Sequence, residues 1–91
     1  MFMACGEGHE GVVRLLLAHA ATDVNQAKTG TGSTPLFMAC QKGHEGVVRL
    51  LLAHAATDVN QATTDDGRTP LITACFQGHE GVVRLLSLIH I

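Results

Sequence analysis

Six histidines, eight carboxylates and three cysteines are the groups of this chain that could ligate a metal, attack a substrate or move a proton. Spacing decides whether they can act together. His44-Glu45 opens like a zinc-protease motif, which needs a second histidine one helical turn on so that both imidazoles share a face. That position is Val48, and the equivalent positions after His9 and His79 are Val13 and Val83. Gly6-Glu7-Gly8-His9-Glu10-Gly11 has the glycine spacing that cradles a pyrophosphate between a strand and a helix. No strand pattern precedes it, and Gln41 replaces the first glycine in the next copy. Cys5, Cys40 and Cys75 stand 35 residues apart with no Cys-x-x-Cys pair, an odd number for a disulfide framework. No nucleophile, base and orienting group converge, so the residues predict no catalytic, cofactor or metal site.

The same spacing shows what positions these groups. Gly8 to Ala27 reads GHEGVVRLLLAHAATDVNQA, Gly43 to Ala62 repeats it letter for letter, and GHEGVVRLL returns from Gly78 to Leu86, a period of 35 residues. Within a period, Thr34-Pro35 and Thr69-Pro70 read as helix starts, the hydroxyl capping and the proline ring pre-set for the first turn. About two turns later Gly43 and Gly78 fall where a helix end needs positive φ. A second helix then runs to about Ala55. In it Val48, Leu51, Leu52 and Ala55 form one stripe for burial, with Arg49 and Ala53 outside. The polar stretches Lys28 to Ser33 and Thr63 to Arg68 carry glycine and read as hairpin tips.

In these motifs the chain resembles the ankyrin repeat family. Gly32-Ser33-Thr34-Pro35-Leu36 and Gly67-Arg68-Thr69-Pro70-Leu71 match its helix opening, and Gly43-His44 and Gly78-His79 its inter-helix turn. Val47-Val48-x-Leu50-Leu51 matches its second helix and Asp58-Val59-Asn60 the lead into its hairpin. The resemblance covers essentially the whole chain. It implies an all-α helix-turn-helix solenoid with hairpin loops, one full repeat (28–62) between two incomplete ones (1–27 and 63–91). Departures are Phe37 and Ile72 in place of the family's histidine after Thr-Pro-Leu, a period two longer than its usual 33, and no glycine closing the second helix. That last change leaves alanine or histidine to make the turn. His9, His44 and His79 are expected to finish the inter-helix turn by hydrogen bonding locally, and the cysteines to serve as small core residues. Stacked first helices would hold the thiols about 8–10 Å apart at their backbones, beyond the roughly 7 Å a disulfide tolerates.

Six basic residues against eight acidic ones, with no basic run, do not suit nucleic acid. No apolar run approaches the roughly 20 residues that cross a bilayer, and the first residues lack a signal peptide's pattern. A soluble chain in an intracellular, cytoplasmic or nuclear, reducing compartment is expected. The outermost repeats carry no polar caps. Leu88, Ile89 and Ile91 follow a break in register after Leu86, which predicts end-to-end self-association of a marginally stable array.

Comparing repeats locates recognition. Residues 28–51 and 63–86 differ at eight positions: Lys28/Thr63, Gly30/Asp65, Thr31/Asp66, Ser33/Arg68, Phe37/Ile72, Met38/Thr73, Gln41/Phe76 and Lys42/Gln77. Half lie in the hairpins and two end the first helix, where the family resemblance implies a concave partner-binding face. The candidate protein-binding residues are therefore Ser33, Gln41, Lys42, Asp65, Asp66, Arg68, Phe76 and Gln77, with Phe76 as anchor. The alternative is a structural fragment of a longer array with no partner of its own. On the thiol spacing and the missing zinc-site histidine, alkylation and mass spectrometry are expected to find three free thiols and no stoichiometric metal. An intramolecular bridge would contradict this.

Overall fold

The computed structural model describes residues 5–19, 23–54 and 57–89. Cys5 and Gly6 are helical, followed by α1 (Glu10–Ala18), α2 (Pro35–Lys42), α3 (Glu45–Ala53), α4 (Pro70–Phe76) and α5 (Glu80–Ile89). No strand occurs among the described residues. The helices form two layers. First helices α2 and α4 pack side by side, second helices α1, α3 and α5 form the other row, and α2 with α3 and α4 with α5 close each repeat.

Local chemistry sets the helix starts. The Thr34 Oγ1 accepts from the Phe37 amide at 3.1 Å and the Thr69 Oγ1 from Ile72 at 3.2 Å, each relieving a donor that a helix leaves unpaired. Pro35 and Pro70 follow directly. At the other end Gly43 takes φ 76° and closes α2, its amide directed to the Ala39 and Cys40 carbonyls.

The histidines that follow the second helices do not turn left-handed: His19 and His54 are extended at φ −86°, every described residue with positive φ is glycine, and Ala20, Ala21, Ala55 and Ala56 lie outside the described residues. Helix α3 stops at Ala53, and Ala55 lies outside the described residues. The remaining stripe is as read. Val48 and Leu51 are buried, Leu52 half-buried, and Arg49 and Ala53 exposed. Val47 joins the core as well, because α1 covers its side of the helix.

The hairpins are closed by backbone pairs without becoming strands. Lys28 and Thr63 amides donate to the Ser33 and Arg68 carbonyls, both at 2.8 Å. Neighbouring hairpins are tied by the Thr64 amide donating to the Thr31 carbonyl at 2.9 Å. Gly32, at φ 74°, sits so close that a Cβ would lie 2.6 Å from the Thr64 nitrogen, so only glycine fits. The Asn25 side chain adds a second tie, accepting from the Asp58 amide at 2.7 Å.

Two buried threonines respond oppositely to one substitution. Thr34 uses its hydroxyl as a cap, whereas the buried Thr73 hydroxyl has no hydrogen-bond partner among the described residues. Thr34→Val is expected to lower stability by about 1 kcal/mol. Thr73→Val, which removes an unpaired buried polar group, is expected to raise it by about 1 kcal/mol. Urea unfolding at low protein concentration checks both signs.

Candidate functional site

Five of the eight candidate residues converge. Ser33 and Gln41 from the full repeat meet Asp65, Asp66 and Arg68 from the next around a groove of about 200 Å³ between the hairpins and α2. Phe37 and Met38 supply its apolar wall. Lys42 and Gln77 are exposed at the ends of the first helices and do not line it. Ser33 is only 5 % exposed. Its hydroxyl shares a hydrogen bond with Thr31 Oγ1 at 2.9 Å, so it forms floor and leaves little area for a partner to touch.

Arg68 joins the groove to Phe76. Its Nε lies 2.9 Å from Asp66 Oδ2. Its guanidinium sits 4.8 Å from the Phe76 ring centroid, a cation over the negative face of the ring. Phe76 is nevertheless 72 % exposed. A large aromatic held at fixed geometry while solvated on one side loses little entropy on meeting a partner and offers much area.

The acidic pair is locally organised. The Asp66 amide donates to Asp65 Oδ1 at 2.7 Å and the Thr63 hydroxyl to Asp66 Oδ1 at 2.8 Å. Hydrogen bonding from Thr63, and then from the Asp66 amide, holds the Asp65 carboxyl below its ordinary range. Both groups face solvent beside the half-buried Arg68, giving the rim a mixed charge pattern.

Five lining residues were absent from the candidate set: Lys28, Thr31, Phe37, Met38 and Thr63. The signal for them was present, since Lys28/Thr63 and Thr31/Asp66 are among the positions at which the repeats differ.

The histidines behave unexpectedly. His44 Nε2 lies 3.0 Å from the Gly6 carbonyl oxygen and His79 Nε2 2.9 Å from that of Gln41, each 38 residues back in the chain. These bonds correct the expected local role. The turn histidine reaches the preceding repeat with its ring packed over that repeat's turn glycine. A Cβ on Gly8 or Gly43 would come within 2.8 or 2.7 Å of the ring.

The family model for ankyrin repeats matches residues 1–90 in three copies. The chain belongs to the ankyrin repeat family. None of the curated proteins matches it. Ankyrin repeats are generally protein-protein interaction modules and generally non-catalytic. Among the described residues of this ankyrin array, no three metal-ligating side chains cluster and no helix is long and apolar enough to cross a membrane.

The cysteines divide by position in the array. Cys5 and Cys40 are buried, and desolvation pushes their thiols up to about 11 and about 12, away from the reactive thiolate. Cys75 is exposed on the flank of α4, which departs from the expected core role for that residue. Iodoacetamide at pH 8 and low protein concentration is expected to label Cys75 at least about tenfold faster than the other two, because the thiolate is the nucleophile. Peptide mass spectrometry over a time course reads the three rates, and equal rates would contradict the assignment.

Proposed function

We propose that this ankyrin array holds a protein partner on the face built from its hairpin tips and first helices, with Phe76 as the central contact. The observation that carries the reading is the 72 % exposed Phe76 ring, backed by Arg68 at the edge of the hairpin groove. An aromatic at the end of a first helix contributes nothing to the core from there. Gly6 and Gln41 occupy the position in the other repeats. Lys42, Gln77 and Gln41 lie like Phe76 at the first-helix ends, and Asp65, Asp66 and Arg68 set the charge pattern of the rim. Such rim charges steer the encounter and select among partners more than they add affinity. The three free thiols fit an intracellular, reducing compartment.

The same array is proposed to associate end to end. Leu88 is 70 % exposed on α5, and Ile91 lies outside the described residues.

Pull-down with the whole chain, followed by titration of the partner recovered, tests the binding face. Phe76→Ala is expected to weaken the complex by about 2 kcal/mol, roughly thirtyfold. Asp65→Asn with Asp66→Asn should change the association rate and its salt dependence. Arg49→Ala, on the exposed side of α3, should leave binding unchanged. Loss of binding with Arg49→Ala and not with Phe76→Ala would place the partner on the second helices instead.

A further inference from the structure

The groove between the hairpins is internal to the array. Its lining residues all fall between Lys28 and Arg68, in two adjacent repeats, so its shape depends on neither end of the chain. Its volume of about 200 Å³ lies below the roughly 300–1,000 Å³ of pockets that enclose a small molecule. The group it can take is a single side chain.

Most of its polar atoms are already committed. The Thr31 and Ser33 hydroxyls share a hydrogen bond at 2.9 Å. The Thr63 hydroxyl donates to Asp66 Oδ1 at 2.8 Å and accepts from the Arg68 amide at 3.2 Å, and Arg68 Nε holds the other Asp66 oxygen at 2.9 Å. Two groups are left over. Asp65 takes hydrogen bonds from Thr63 and the Asp66 amide, which favour its ionised form, yet among the described residues no cation stands within ion-pair distance of it. The Gln41 side-chain amide likewise has no partner among the described residues, although its backbone carbonyl is taken by His79. Asp65 is exposed, so the uncompensated charge sits at the mouth, while the buried Phe37 and half-buried Met38 wall the interior.

We propose that this groove takes a lysine side chain of the protein partner, its methylene stem along Phe37 and Met38 and its ammonium between the Asp65 carboxylate and the Gln41 side-chain oxygen. The proposal rests on the hairpin face being the binding surface and names one group the partner must offer there. Lysine suits both parts of the groove, since it buries its methylenes along apolar surface while its charge stays at the wet edge. An ammonium fits better than a guanidinium. Arginine's rigid fork is matched by a carboxylate with both oxygens open, and Asp65 Oδ1 already accepts the Asp66 amide at 2.7 Å. A compact charge with three rotatable donors can use the remaining oxygen and Gln41 together. An acidic side chain in the same place would meet Asp65 and Asp66, with Arg68 already turned to Asp66. Lys28 lines the groove from the other hairpin and opposes a cationic occupant, which gives the charge argument a sign that can be tested.

Capped pentapeptides that differ only in a central lysine, arginine, norleucine or glutamate are the probes, titrated into the whole chain and followed by amide NMR. The lysine peptide is expected to shift the Thr31, Gln41, Asp65 and Asp66 amides and to bind about fivefold more tightly than the norleucine peptide, the scale of one exposed ion pair. Asp65→Asn should erase that advantage and Lys28→Glu should enlarge it. Both positions are exposed, and the circular dichroism of both variants should match wild type. Equal or tighter binding of the arginine, norleucine or glutamate peptide would overturn the proposal. So would an unchanged advantage in Asp65→Asn, weaker lysine binding in Lys28→Glu, or no shift with any peptide. The binding face itself is decided separately, by Phe76→Ala and the recovered partner, so the loss of one reading is told from the loss of the other.

Discussion

A helix as short as α2 ends with carbonyl groups that its own backbone cannot pair. The Gly43 amide serves two of these, on Ala39 and Cys40, and the Gln41 carbonyl is taken by the imidazole of His79 from the next repeat. That bond places one repeat on another. It brings the ring over Gly43, sets α3 beside α5, and seats the Glu45 carboxylate on Gly81. The hairpins follow, since the Thr64 amide can meet the Thr31 carbonyl only when the helices behind them share this register.

Stacking also explains why one core serves the whole array. The first valine of each GVV triplet faces the preceding repeat and the second faces the following one. Val47 and Val82 are therefore buried while Val12 is exposed, and Val13 and Val48 are buried while Val83 is only partly so. Each repeat buries its stripe against neighbours instead of within itself, which is how quasi-one-dimensional arrays gain their stability.

The rigid two-layer stack frees the hairpin and first-helix side for recognition. Differences between repeats cluster there because packing constrains those side chains least. Gly30/Asp65 and Thr31/Asp66 vary at solvated or half-solvated sites, and Lys28/Thr63 at a site exposed in one repeat and buried in the next, whereas the second helices are identical up to Leu86. Phe37 and Ile72 show the limit of that rule. The same position is buried in one repeat and exposed in the next, since Phe37 has the α4 repeat against it and Ile72 has no described repeat beyond.

Helix starts, turns and hairpins were legible in the letters because their causes are local: a threonine hydroxyl three residues from the amide it caps, a proline with preset φ, a glycine at positive φ. The period made the architecture legible too, and inter-repeat differences pointed to most of the groove. Tertiary structure decided whatever depends on which repeat stands next door. Identical letters acquire different surroundings: Cys40 is buried and Cys75 exposed, and His44 and His79 bond carbonyls 38 residues away while His9, among the described residues, meets Glu7. Ser33 differs from its neighbours in the groove for the same reason. A polar residue in a polar stretch reads as solvated, yet the closed hairpin turns its hydroxyl to Thr31 and buries it. Capping and turn chemistry act over three or four residues, but burial is set by neighbours a full repeat away, so no local pattern encodes it.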